Sequence, residues 1–411
     1  MRILLFTGKG GVGKSTVAAG TAALASRRGL RTLVLSTDAA HSLADAFDAP
    51  VGAEPTRVAE HLFVQQVDAQ LRFEQSWAEI QGYLLAVLEV AGVDPVAAEE
   101  LTVVPGAEEV LALLELRVQA LSGEWDVIVV DCAPTAETLR LLALPEALGW
   151  YMERVLPVQR RVVKAFKPVL SRAAGVPMPG DSIFDAVARL HDELDQVHDL
   201  LAGPQASVRL VLTPEAVVLA EARRSYTHLS LYGYRVDGVV ANRVFPAPEP
   251  GPEADPWRAG WVAAQRQVLA QVEESFVGLP RWRAEYRAAE PVGVEALARM
   301  AQEVYGDDDP LALPRGRGPY RVTRGTGGAV LHLALPHVSR EQVGLARNGD
   351  ELVVSLGSYR RLLTLPAGLA RLQVAGAGVE EGELRVRFRD PSGSSRDGTS
   401  RGAAPAPATE R

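Results

Sequence analysis

Gly8-Lys9-Gly10-Gly11-Val12-Gly13-Lys14-Ser15, followed by Thr16, satisfies the spacing G-x-x-x-x-G-K-[ST]. That spacing can hold phosphate: glycines let backbone N–H groups turn inward, Lys14 offers a cation to the β- and γ-phosphates, and the Ser15 hydroxyl is a ligand for Mg²⁺. A bound magnesium also needs a carboxylate, and Asp131 ends the apolar run Val127–Val130, where it would serve directly or through a water. Asp38 follows the run Thr32–Ser36 in the same way and could orient an attacking water. On local grounds alone, Asp131 could instead be a turn former and Asp38 a helix cap. Lys9, taken alone, reads as a solvated loop cation, and Asn242, after Val239–Ala241, as a turn residue.

These side chains need a scaffold that brings strand ends together. Up to about residue 305 short β-branched runs alternate with segments of helical period: Ile3–Thr7, Thr32–Ser36, Leu62–Val67, Val127–Val130, Val208–Leu212 and Val236–Ala241. This is the pattern of an α/β fold, a P-loop NTPase whose mostly parallel sheet is flanked by helices. Ser15–Arg28 reads as the helix after the loop, with Gly29 just past its end. Residues 306–318, rich in acid, proline and glycine, read as a linker. From 319 to 390 the grammar changes to short alternating runs, Val330–Leu335, Glu351–Leu356, Arg360–Leu365 and Glu383–Phe388, which predict an all-β sandwich. Residues 391–411, full of Ser, Gly and Pro, are expected to be a disordered tail.

The 411 residues are 47% apolar and 23% charged, which excludes wholesale disorder. One cysteine, Cys132, excludes an intramolecular disulfide and an all-cysteine metal clasp within one chain. With no signal-like or membrane-spanning run, the expected location is cytoplasmic. The net charge of −8, from 43 basic and 51 acidic residues, argues against nucleic acid as a partner.

GKGGVGKST, with Lys9 in place, resembles the deviant phosphate loop of the MinD and ArsA group of dimeric ATPases. The segments DAAHSLADAF (38–47), PGAEEVLALLEL (105–116), DCAPTAETLRLLALPEAL (131–148), LTPEAVVLAEARR (212–224), VVANRVFP (239–246) and EPVGVEALARM (290–300) narrow the resemblance to the ArsA and tail-anchored-protein-targeting ATPases. The resemblance implies that ATP and Mg²⁺ bind at Gly8–Thr16 with Asn242 on the adenine, and that Lys9 crosses a homodimer interface to the partner's phosphates. It also implies a first switch at Asp38 and His41 and a second at Asp131, Pro134 and Thr135. Ala136-Glu137 departs from the Gly-His of many relatives in that second switch.

The resemblance further implies a hydrophobic client segment and a membrane receptor as partners. Residues 146–201 stand where the targeting ATPases build a client groove, with Leu148, Met152, Val155, Ile183, Val187 and Leu190 at helical spacing, although such stripes usually face a core. The interfacial zinc of eukaryotic relatives needs a C-x-x-C pair, so no zinc is expected here. A metalloid site of the arsenite-pump kind likewise needs several thiols. An arsenite- or antimonite-driven pump subunit therefore stands as the disfavoured alternative, beside a nucleotide-gated scaffold with little turnover. Residues 365–388, with Gly382-Glu383-Leu384 before an alternating last strand, resemble the closing strands of an α-crystallin domain, and a fusion of this kind occurs among bacterial and plastid relatives.

Overall fold

The apolar runs of the first 305 residues form one sheet because almost every side chain on them is covered on both faces. In the computed structural model, which describes residues 1–37, 42–66, 107–133, 181–247, 255–314, 318–325 and 327–390, the chain divides into two compact units, Met1–Pro319 and Tyr320–Arg411. In the first unit the strands are β1 (Arg2–Thr7), β2 (Thr32–Ser36), β3 (Thr56–Ala59), β4 (Leu62–Gln66), β5 (Val127–Asp131), β6 (Ala206–Leu212), β7 (Val236–Val244) and β8 (Arg281–Glu285). They lie in the order β3-β4-β2-β5-β1-β6-β7-β8, all neighbours parallel except β3 against β4.

Two strands escape the sequence pattern. β3 is a short edge strand carrying little buried surface, and β8, Arg-Trp-Arg-Ala-Glu, buries only Trp282 and Ala284 beneath alternating charges. An edge strand needs only one apolar face, so its sequence lacks the continuous run that marks the central strands.

The described helices of this unit are α1 (Lys14–Arg27), α2 (Ser42–Phe47), α3 (Ala107–Leu121), α4 (Asp181–Ala202), α5 (Ala216–Leu231), α6 (Pro256–Ser275) and α7 (Val294–Tyr305). α1 is buried from Val17 through Ser26 because it lies between the sheet and α7. At Gly20 a Cβ would meet the Met300 Cε at 2.6 Å, so a glycine permits that close approach. Gly29, at φ 80°, ends α1 in the left-handed conformation.

Along the N-terminal ends of the strands, a charged cluster is sealed inside. Arg209 donates to both carboxylate oxygens of Asp237 at 3.1 and 2.8 Å, and Arg2 reaches the same carboxylate at 3.1 Å. Ser207 donates to it as well, at 2.7 Å. The remaining guanidinium N–H groups go to Tyr305 Oη and to the carbonyls of Gln205, Pro310 and Leu311. Burial lowers the Arg2 guanidinium to about 10, still charged at neutral pH. Burial would lower Arg209 too, but its two-point pairing with Asp237 outweighs that and raises it. The chain leaving α7 is thereby fastened beneath the sheet.

The second unit is antiparallel throughout. β9 (Tyr320–Gly325), β10 (Gly328–Ala334), β14 (Gln373–Glu380) and β15 (Glu383–Arg389) form a four-stranded sheet, and β11 (Val343–Asn348), β12 (Glu351–Leu356) and β13 (Tyr359–Thr364) a three-stranded one. Leu331, Leu333, Leu352, Val354, Leu363, Leu384, Val386 and Phe388 are buried and alternate along their strands.

Candidate functional site

β1 lies between β5 and β6, so the chain first winds to one side of β1 and, after β5, crosses to the other. At such a reversal the loops beyond the strand ends part and leave a crevice, the favoured ligand position in an open parallel sheet. The segment Gly8–Gly13 leaves β1 at that point and enters α1. Gly11 and Gly13 have φ of 79° and 85°, a left-handed backbone that glycine adopts without steric cost. Gly8 packs so closely that a Cβ would stand 2.1 Å from Val211 O, and a Cβ on Gly13 would stand 2.3 Å from Asn242 Nδ2. By contrast, nothing lies within 4 Å of the Cβ positions of Gly10 and Gly11, on the open side of the loop.

That open side faces a cavity of about 480 Å³ lined by Gly10, Gly11, Gly13, Lys14, Ser15 and Thr16 together with Ser42 and Glu290. Lys14, only 6% exposed, makes no hydrogen bond or ion pair with another described residue. The Ser15 hydroxyl lies 2.9 Å from that of Ser42 at the start of α2. Asp131, fully buried, ends β5 in register with Phe6 of β1 and Ser36 of β2. Its backbone carbonyl accepts from Thr37 N at 3.0 Å, joining the exits of β2 and β5. A glycine-rich loop leading into a helix N-terminus, a sheltered cation and a hydroxyl fit a nucleotide phosphate chain, and the hard oxygen donors beside it fit Mg²⁺.

A second cavity, of about 240 Å³, adjoins the first and is lined by Gly13, Thr16, Asn242, Arg243, Tyr286, Pro291 and Met300. Asn242 fastens it to the loop, donating from Nδ2 to Val12 O at 2.8 Å while its Oδ1 accepts from Arg243 N at 2.9 Å. The buried Gln265 of α6 accepts from Phe245 N at 2.8 Å and donates to Arg243 O at 3.0 Å, closing the end of β7. The two wall segments, 242–243 and 285–291, carry no spacing signal. Asn242 is expected here from the family resemblance, whereas Arg243 and 285–289 join the site only once β7 and β8 are side by side.

Gly8 through Thr16, Asn242 and Asp131 thus gather at the C-terminal edge of the sheet. Lys9 is half-buried in the loop and absent from the lining of either cavity. Asp38, His41, Pro134, Thr135, Leu148, Met152 and Val155 lie outside the described residues, as does 391–411. Ile183 and Val187 fall on α4, their side chains outside the described set, and Leu190 is half-buried. Further along that helix Leu194 and Val197 are buried. Cys132 is buried beside Asp131. Among the described residues no helix is long and apolar enough to cross a membrane.

Residues 1–306 match the family model described as anion-transporting ATPase, and residues 326–388 match an HSP20-like domain found in ArsA. A protein of Chlorobaculum tepidum named putative arsenical pump-driving ATPase is 36% identical over 392 residues, covering 94% of this chain and 96% of its own. An uncharacterised protein of Streptomyces coelicolor is 39% identical, with 94% and 97% covered. A Trypanosoma cruzi protein named ATPase ASNA1 homolog is 29% identical over 323 residues, with 72% and 88% covered.

Proposed function

Because the chain belongs to the ArsA family of ATPases and carries that family's HSP20-like domain, we propose that it hydrolyses ATP as a homodimer, coupling nucleotide state to a hydrophobic client protein. The observation that carries the reading is the pair of adjoining cavities at the reversal of strand order, one lined by the phosphate loop and the other by Asn242.

Within it, the loop amides and Lys14 hold the β- and γ-phosphates and Asn242 holds the base. The Ser15 hydroxyl and, through water, Asp131 would hold Mg²⁺, which when bound neutralises charge developing on the phosphate oxygens. Asp38 orients the attacking water. Lys9 reaches the phosphates of the partner subunit; its place in the loop but outside the lining of its own cavities supports that role. Release of the γ-phosphate relaxes the switches at Asp38, His41, Asp131, Pro134 and Thr135, and helices downstream read the change. The groove would draw on Leu148, Met152, Val155, Ile183, Val187 and Leu190, presented to a client that a membrane receptor accepts.

Lys9→Ala should still bind ATP but lose turnover by roughly 10³–10⁵, the worth of a transition-state cation supplied in trans. Near wild-type hydrolysis by that variant would remove the trans-lysine role. Full-length protein carrying Asp38→Asn, held in ATP, should co-purify with proteins bearing hydrophobic segments; recovery of none would count against the client.

The names of several relatives favour a second reading, a motor for an arsenical pump. The single thiol of this chain offers too few soft donors for a metalloid site. Stimulation of the ATPase by antimonite would decide for the pump.

A further inference from the structure

Arg243 is the last residue anyone would place by spacing, yet the fold spends effort on it. It holds φ at 57°, a left-handed conformation that is strained for a side-chain-bearing residue and easy for glycine. Two buried amides hold it there: Asn242 Oδ1 takes its N–H and Gln265 Nε2 donates to its carbonyl. It lines both cavities, a property shared only with Gly13, Thr16, Glu290 and Pro291 among the described lining residues. Its guanidinium makes no hydrogen bond or ion pair with another described residue, although Glu285 and Glu290 stand in the same walls. An exposed arginine fixed at its backbone, on the walls of two cavities and with no carboxylate on its guanidinium, suits an anionic ligand, because guanidinium binds phosphate oxygens with paired, charge-assisted donors.

We propose that Arg243 binds the phosphate chain of the nucleotide where the two cavities meet, next to the nucleoside, and so makes the site favour nucleotides over nucleosides. The inference rests on the nucleotide assignment above. A nucleotide lying with its base by Asn242, Tyr286 and Met300 and its terminal phosphates by Lys14 and Ser15 must pass the shared residues with its innermost phosphate. Thr16 and Arg243 are the side-chain donors there, and Arg243 carries the charge. Gln265 is then a positioning residue, since it holds the strand end that carries the arginine.

The test uses the full-length chain with Arg243→Gly and Arg243→Lys. Glycine keeps the left-handed backbone, so the fold should persist and Tm should not fall. ADP and adenosine are each titrated as competitors of a fluorescent ADP analogue. For Arg243→Gly, the ADP dissociation constant should rise about tenfold or more while that of adenosine stays within about twofold, and Arg243→Lys should recover part of the loss. An equal loss for both ligands would mean that residue 243 acts only through the shape of the strand end, and would overturn the proposal. So would unchanged affinity for both, which would make Arg243 a solvated rim cation. Failure of the wild-type chain to bind either ligand would instead sink the nucleotide assignment itself, and the proposal with it.

Discussion

The two edges of the eight-stranded sheet use their cations in opposite ways. Along the N-terminal edge, Arg2 and Arg209 converge on one carboxylate, Asp237, and the leftover N–H groups end on Tyr305 Oη and backbone carbonyls. Along the C-terminal edge, Lys14 and Arg243 face cavities and neither pairs with a described residue. Taking a charge out of water is costly unless it is paired and hydrogen-bonded. The first edge meets that requirement inside the chain, so its cations hold the fold together. At the second it stays open for the buried Lys14, and a phosphate-bearing ligand would meet it there, with the exposed Arg243 beside it.

Removing the anion from the satisfied edge should give the largest stability change. Asp237→Asn leaves two buried guanidinium groups facing a neutral amide and should cost about 3–5 kcal/mol in denaturant unfolding, with ADP affinity of the protein that remains folded unchanged. A loss below about 1 kcal/mol would mean that the neutral acceptors alone suffice, and the contrast between the edges would weaken.

The mirror experiment removes a cation from the open edge. Lys14→Met should leave stability at or above the wild-type value, since no pair is broken, while ADP affinity falls about tenfold to a hundredfold by titration. A large drop in Tm would show that Lys14 serves the fold after all.

The smallest effect belongs to a third cluster, on the four-stranded sheet of the second unit. There Glu383 accepts from His332 Nδ1 at 2.9 Å, Arg321 at 2.7 Å and Arg385 at 2.9 Å. Burial would raise its carboxyl, but these donors outweigh it and hold it down from about 4.5 to about 2. A folded-state value below the unfolded one stabilises above the unfolded value and loses that contribution as pH falls through the folded one. The stability difference between wild type and Glu383→Gln should therefore shrink as pH falls from about 5 toward 2. Its size should be about 1 kcal/mol or less, because the cluster is partly exposed. A difference that does not vary with pH would show that the cluster contributes packing alone.

Much of this was legible in the chain itself. Central strands announce themselves because burial on both faces demands unbroken apolar runs, as in Val127–Val130, and the phosphate loop because close approach at Gly8 and Gly13 and a left-handed backbone at Gly11 and Gly13 favour glycine. The edge strand β8 did not, since one buried face requires only Trp282 and Ala284. Arg2, Arg209 and Asp237 were equally silent, for charges 235 and 28 positions apart in sequence carry no period. Only after β1, β6 and β7 lie parallel does their shared register bring these side chains to one buried point.

The sequence by itself determined the chemistry on offer: a phosphate loop, an α/β unit, a second unit of alternating strands and a lone thiol. Tertiary structure decided which charges are spent inside the fold and which are left for a ligand. That distinction depends on what stands within about 3 Å of each charged atom, which is set by strand order and register rather than by residue type.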